Sequence, residues 1–161
     1  MKEKIIKSIV AWVMVLITML MIFNFSDEGT QASSTTSEGV IKDILEVILP
    51  EEEITPDKIQ KLQFPVRKLA HFGIYMLLGF TLTCAMFFTF NIKKIFSLLI
   101  SLSICFLYAL LDEYHQSFTG RAQSFTDVLI DTAGALIGIV LFALLYYLVE
   151  NIKKKKYKNP S

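Results

Sequence analysis

Two histidines and two cysteines are the whole supply of imidazole and thiol in 161 residues. No disulfide framework and no zinc-ribbon spacing can be built from them, and the chain lacks a His-Glu-x-x-His pair. Sixteen basic and fifteen acidic residues leave a formal net charge of +1, without the basic surplus that draws a protein to nucleic acid, so no nucleic-acid partner is expected. Charged residues make up only 19% of the chain against 53% hydrophobic, and the mean hydropathy is +0.52. That balance is too apolar for an ordinary soluble domain of this length. What the sequence has in quantity is long apolar runs.

Four runs stand out: Ser8 to Phe25, Leu69 to Phe90, Ile95 to Leu111 and Val128 to Val149, with Asp131 their one formally charged residue. Each is near the ~20 residues that a ~30 Å hydrocarbon core requires. The pattern predicts an all-α integral membrane bundle, one domain over 1–161, with transmembrane helices at about 5–25, 69–90, 95–113 and 128–149. The first run reads as an uncleaved anchor, because Phe23, Asn24 and Phe25 make a poor cleavage site for a secretory signal. Cys84 and Cys105 fall at different depths on different helices, which predicts that they are not bonded to each other.

The lysines predict an orientation. Lys2, Lys4, Lys7, Lys93, Lys94, Lys153 to Lys156 and Lys158 gather on one side, ten of the sixteen basic residues, which by the positive-inside rule places both termini in the cytoplasm of a multi-pass cell-membrane protein. The basic tail, 150–161, then reads as a stop-transfer and anionic-lipid contact. The outer segment, 26–68, opens with a polar Gly/Ser/Thr-rich loop. Ser37 is positioned to cap a short amphipathic helix carrying Val40, Ile41, Ile44, Val47 and Ile48. Thr55 and Pro56 read as the start of a second short helix through Leu62, ended by Pro65.

In that arrangement two polar stretches meet at the outer interface. The second helix starts "RKLAHFGIY", and the third ends in "DEYHQ" before "SFTGRAQSFTD" leads into the fourth. Arg67, His71 and Tyr75 are spaced by four and share a helix face, with Lys68 beside them; Asp112 lies three and four residues before His115 and Gln116. Asp112 is expected to hold the His115 imidazole, whereas Glu113, about 100° further round the helix, is expected to face water. Ser124 to Asp127 is close to a capping box, so Asp127 either caps the fourth helix or serves the site. Arg121 is either a solvated turn residue or a planar fork for phosphate or carboxylate. Asp131, in the membrane, calls for a partner such as His71, His115 or Arg67. Gly134 and Gly138 form Gly-x-x-x-Gly, which favours close helix packing.

"RKLAHFGIYMLLG" with "DEYHQSFTGRAQSFTDVLIDTAGALIG", and the serine-bearing exit "FSDEGTQASSTTSEGV", resemble the VanZ-like family of bacterial membrane proteins. The chain departs from that pattern at Asp27 and Glu28, where serine and glutamine are usual, and at Asp131, where asparagine is frequent. The resemblance implies an envelope role, in a family associated with low-level resistance to the lipoglycopeptide teicoplanin. Two classes of function stay open. One is binding of an anionic or amphiphilic envelope molecule, such as a lipid-linked cell-wall precursor or the lipoglycopeptide; the other is hydrolysis or group transfer on a lipid-linked precursor. Membrane lipids are the remaining expected partner. No cofactor and no metal are expected, since no spacing in the chain matches a metal motif.

Overall fold

The computed structural model describes residues 2–27, 39, 41–42, 55–119 and 124–158. Among them are four long helices: α1 (Lys2–Asp27), α2 (Pro56–Thr89), α3 (Lys94–Gln116) and α4 (Phe125–Lys158). A single 3-10 turn, Ser117–Thr119, follows α3. All four helices are long and apolar enough to cross a membrane, and together they form the all-α bundle that the apolar runs predict. They alternate in direction, so both termini lie at one end. Ser8 and Trp12 of α1 meet Thr89 of α2 there, while at the opposite end Ser26 of α1 meets Asp112 of α3 and Lys68 of α2 meets Asp127 of α4.

Helix α2 is central and touches the other three. Tyr75, Leu78, Leu82 and Ala85 on it pack with Val15 and Ile22 of α1, Cys105 and Ala109 of α3, and Val128 and Ala135 of α4. Helix α1 is thereby built into the bundle. Elsewhere its Ile5, Ile9, Leu16 and Leu20 face outward, as expected of side chains that meet lipid. Cys84 and Cys105 are both free.

The tightest crossing is that of α2 on α4. A Cβ added at Gly134 would strike the Phe72 carbonyl, one at Gly138 the Met76 carbonyl, and one at Gly79 the carbonyl of Ala135. The Gly-x-x-x-Gly pair therefore lets two backbones touch, and only residues without a Cβ permit it. On α3 a row of small inward residues, Ser97, Ser101, Cys105 and Ala109, recurs at the same four-residue spacing.

One boundary differs from expectation. Thr55 and Pro56 do open a helix, but it does not stop at Leu62: α2 runs unbroken through Pro65 to Thr89. A proline inside a helix forfeits one backbone bond and crowds the preceding turn without necessarily ending it. The segment before it is held independently, by the Lys61 to Asp57 ion pair at 2.7 Å and by the buried Ile59. Of the amphipathic helix expected around Val40 to Ile48, only Gly39, Ile41 and Lys42 are described; they are helical and Ile41 is buried. Ser37, Val40, Ile44, Val47 and Ile48 lie outside the described residues.

Candidate functional site

The end of α1, the end of α3, the start of α4 and an interior stretch of α2 converge opposite the termini, and α2, α3 and α4 bring their polar residues by helical spacing. Arg67, His71 and Tyr75 stand on one face of α2, Asp112 and Gln116 on one face of α3, and Asp127 and Asp131 on one face of α4. Asp112 is buried, and both its oxygens accept hydrogen bonds: Oδ1 from Ser26 Oγ at 2.5 Å, Oδ2 from Gln116 Nε2 at 3.2 Å. Gln116 also donates to Ser26 Oγ at 3.1 Å, closing a ring of three side chains from α1 and α3. At the rim, half-buried, Lys68 Nζ donates to Asp127 Oδ1 at 2.5 Å.

Deeper in lies the buried Asp131, whose Oδ2 is 3.9 Å from His71 Nδ1. The ligating atoms of His71, Asp112 and Asp131 all fall within 4.8 Å of one another. If both carboxylates were ionised and uncompensated at that separation, they would repel by about 3.5 kcal/mol at an effective dielectric of about 20. The pair is therefore relieved either by compensating positive charge or by a proton shared between the two acids. Tyr75 adds a hydroxyl that is fully buried and makes no hydrogen bond of normal geometry. Above this floor is a small cavity of ≈ 20 Å³, lined by Arg67, Lys68, His71, Gln116, Asp127, Ile130 and Asp131.

A sequence model of VanZ/LLP1 matches residues 11–146. The chain belongs to the VanZ/LLP1 family. Neither the curated proteins nor the solved structures give a match. The VanZ/LLP1 match takes in every polar residue of the convergence, from Ser26 to Asp131, and ends before the basic tail.

Two expectations change on this VanZ/LLP1 bundle, and one choice left open is narrowed. His115 is not held by Asp112: its Nδ1 is buried without a hydrogen bond, and its ring lies 4.8 Å from that of Phe23 on α1. Residues three and four apart flank a given direction by about 60° and 40° on opposite sides, and here the closer one, Gln116, takes the carboxylate. Glu113 does not face water. It is buried, and its Oε1 accepts the backbone N–H of Ser124, the residue that precedes α4, at 2.5 Å. Asp127, for which capping and site roles were both open, directs its carboxylate across to Lys68. Arg121 lies outside the described residues.

Sequence reasoning missed Ser26, the donor to Asp112, although the serine-bearing exit from the first helix was visible. It also missed Tyr108, whose hydroxyl donates to the Met19 carbonyl at 2.9 Å and ties α3 to α1 below the site. No local spacing signals a bond between residues so far apart in the chain.

Proposed function

We propose that this VanZ/LLP1 protein binds the polar head of an anionic or amphiphilic envelope molecule at the outer leaflet, with a lipid-linked cell-wall precursor or a teicoplanin-type lipoglycopeptide as the ligand class. The observation that carries the reading is the polar cavity near one end of the bundle among exposed apolar side chains. Arg67 and Lys68 line the cavity and stay partly exposed, while Phe64, Leu69, Leu111 and Phe125 at the same end of the bundle point outward. Such a surface suits a molecule with one charged and one greasy part. The cavity admits a single water-sized group, so a headgroup would sit over it and insert one oxygen. Among the described residues Arg67 makes no ion pair, which leaves its planar fork for a phosphate or carboxylate. The lysine asymmetry supports the outward orientation of this end, and Arg121 belongs to the proposal on the sequence alone.

The test is saturable binding of a labelled lipid-linked precursor, and separately of teicoplanin, to the protein in nanodiscs. Binding of either that weakens in both Arg67→Ala and Arg67→Lys is expected. Absence of saturable binding to both ligands overturns the reading. A second reading, hydrolysis or group transfer on the lipid-linked precursor, is favoured by one observation: His71 stands between two buried carboxylates, a setting in which imidazole can move protons. Conversion of the bound precursor would establish that reading, and its recovery unchanged would remove it.

A further inference from the structure

We infer that His71, Asp112 and Asp131 form a binding site for one divalent cation of the Mn²⁺ to Zn²⁺ class, beneath the headgroup site proposed above and resting on that placement only for its access to ligand. Three features of the site point to an ion. The first is the ligand set. One imidazole nitrogen and two carboxylate oxygens, supplied by α2, α3 and α4, lie within 4.8 Å of one another. Bonds of about 2.1 Å to a common ion place ligand atoms about 3–4 Å apart, so small side-chain rotations close the set. The mixture of nitrogen and oxygen donors suits Mn²⁺, Fe²⁺ or Zn²⁺ better than Cu⁺, which prefers sulfur, or Mg²⁺, which prefers oxygen alone.

The second is the support around the ligands. Ser26 and Gln116 hold the two oxygens of Asp112 by hydrogen bonds, fixing its orientation as the partners of a metal-bound carboxylate do. The third is the Tyr75 hydroxyl: on a fully buried side chain, it lies beside Asp112 and in the field of both Asp112 and Asp131, yet makes no hydrogen bond of normal geometry. A buried hydroxyl left in that condition is the group an ion-bound water or a ligated carboxylate would satisfy. Lys68, the lysine whose field reaches Asp131, is shared with Asp127. The ≈ 20 Å³ cavity, lined by His71 and Asp131, has room for a coordinated water, the open position at which a phosphate oxygen would enter.

The experiment uses the full chain in nanodiscs, cleared of metal with EDTA, and the metals alone as probes. Titration with Mn²⁺ and with Zn²⁺ should show one tight site per chain, and Mg²⁺ should compete poorly. Pulsed electron paramagnetic resonance of the Mn²⁺-loaded wild type should show coupling to a single imidazole nitrogen, a readout that depends on no variant. His71→Ala and Asp131→Asn should each weaken binding by tenfold or more and His71→Ala should remove the nitrogen coupling, while Glu150→Gln at the far end leaves both unchanged. No stoichiometric binding to the wild type, or bound Mn²⁺ without nitrogen coupling, overturns the inference. Because these readouts need no envelope ligand, they fail or succeed separately from precursor or teicoplanin binding.

Discussion

Gly138→Ala offers a quantitative test of how α2 and α4 are held together. The added methyl carbon would lie 2.8 Å from the Met76 carbonyl carbon and 2.9 Å from the Phe80 nitrogen, with the Met76 oxygen nearer still. Carbon contacts normally rest at about 3.5–4.0 Å, and backbone atoms have no rotamer to turn away, so the helices must part by about 0.5–1 Å. Such a gap forfeits roughly a quarter to a half of each ~0.1–0.2 kcal/mol contact, or about 1 kcal/mol over about twenty atom pairs at the crossing. With the accompanying strain the expected loss is about 1–3 kcal/mol. Gly134→Ala, whose methyl would meet the Phe72 carbonyl carbon at 3.1 Å, should fall at the lower end. Gly73→Ala, with nothing within 4 Å of its added carbon, should be neutral or stabilising by up to about 1 kcal/mol through helix propensity. The assay is reversible unfolding in mixed detergent micelles, followed by the fluorescence of Trp12, the single tryptophan, whose Nε1 donates to Thr89 on α2. Equal stability of Gly138→Ala and Gly73→Ala would refute a backbone-to-backbone crossing.

Topology can be read in intact cells: in a background without Cys84 and Cys105, a cysteine at position 35 should react with an impermeant thiol reagent and one at position 159 should not. Reaction at 159 alone would reverse the orientation. For the half-buried Lys68–Asp127 pair, a double-mutant cycle with Lys68→Met and Asp127→Asn should give a coupling of about 0.5–1 kcal/mol, and strict additivity would mean that the pair is decorative. Glu113→Ala should destabilise by about 1–3 kcal/mol, since it strands the Ser124 amide, and Glu113→Gln should cost less because an amide oxygen still accepts; indifference to Glu113→Ala would return that residue to water.

The helices were legible because a bilayer imposes a length and a composition that the four apolar runs meet almost without charge. Asp131 could be assigned a short roster of partners for the same reason, and the structure selects His71 from it. The Gly-x-x-x-Gly pair also told its purpose, since a missing Cβ on a membrane helix has few uses besides close approach. Other partnerships across the bundle were not legible. Ser26 to Asp112 spans α1 to α3, and Glu113 is met by the backbone of Ser124, a contact that no periodicity describes. Pro65 misled because its local rule is a preference, and the helix continues through it at the loss of one backbone bond. The His71, Asp112 and Asp131 set draws one residue from each of three helices, so no spacing along the chain could announce it.

The ring of Ser26, Asp112 and Gln116 also bears on how the protein is made. A chain synthesised from its N-terminus delivers α1 first, then α2, α3 and finally α4. When α3 arrives, Asp112 finds one hydrogen-bond donor waiting on α1 and carries the other on its own helix. Its charge has partners before the bundle is complete. Asp131 comes last, on α4, and meets a His71 already in place on α2. Asp112 and Asp131 thus each enter the membrane after a group on an earlier helix that receives them, so for these two acids the order of helices along the chain doubles as an order of insertion.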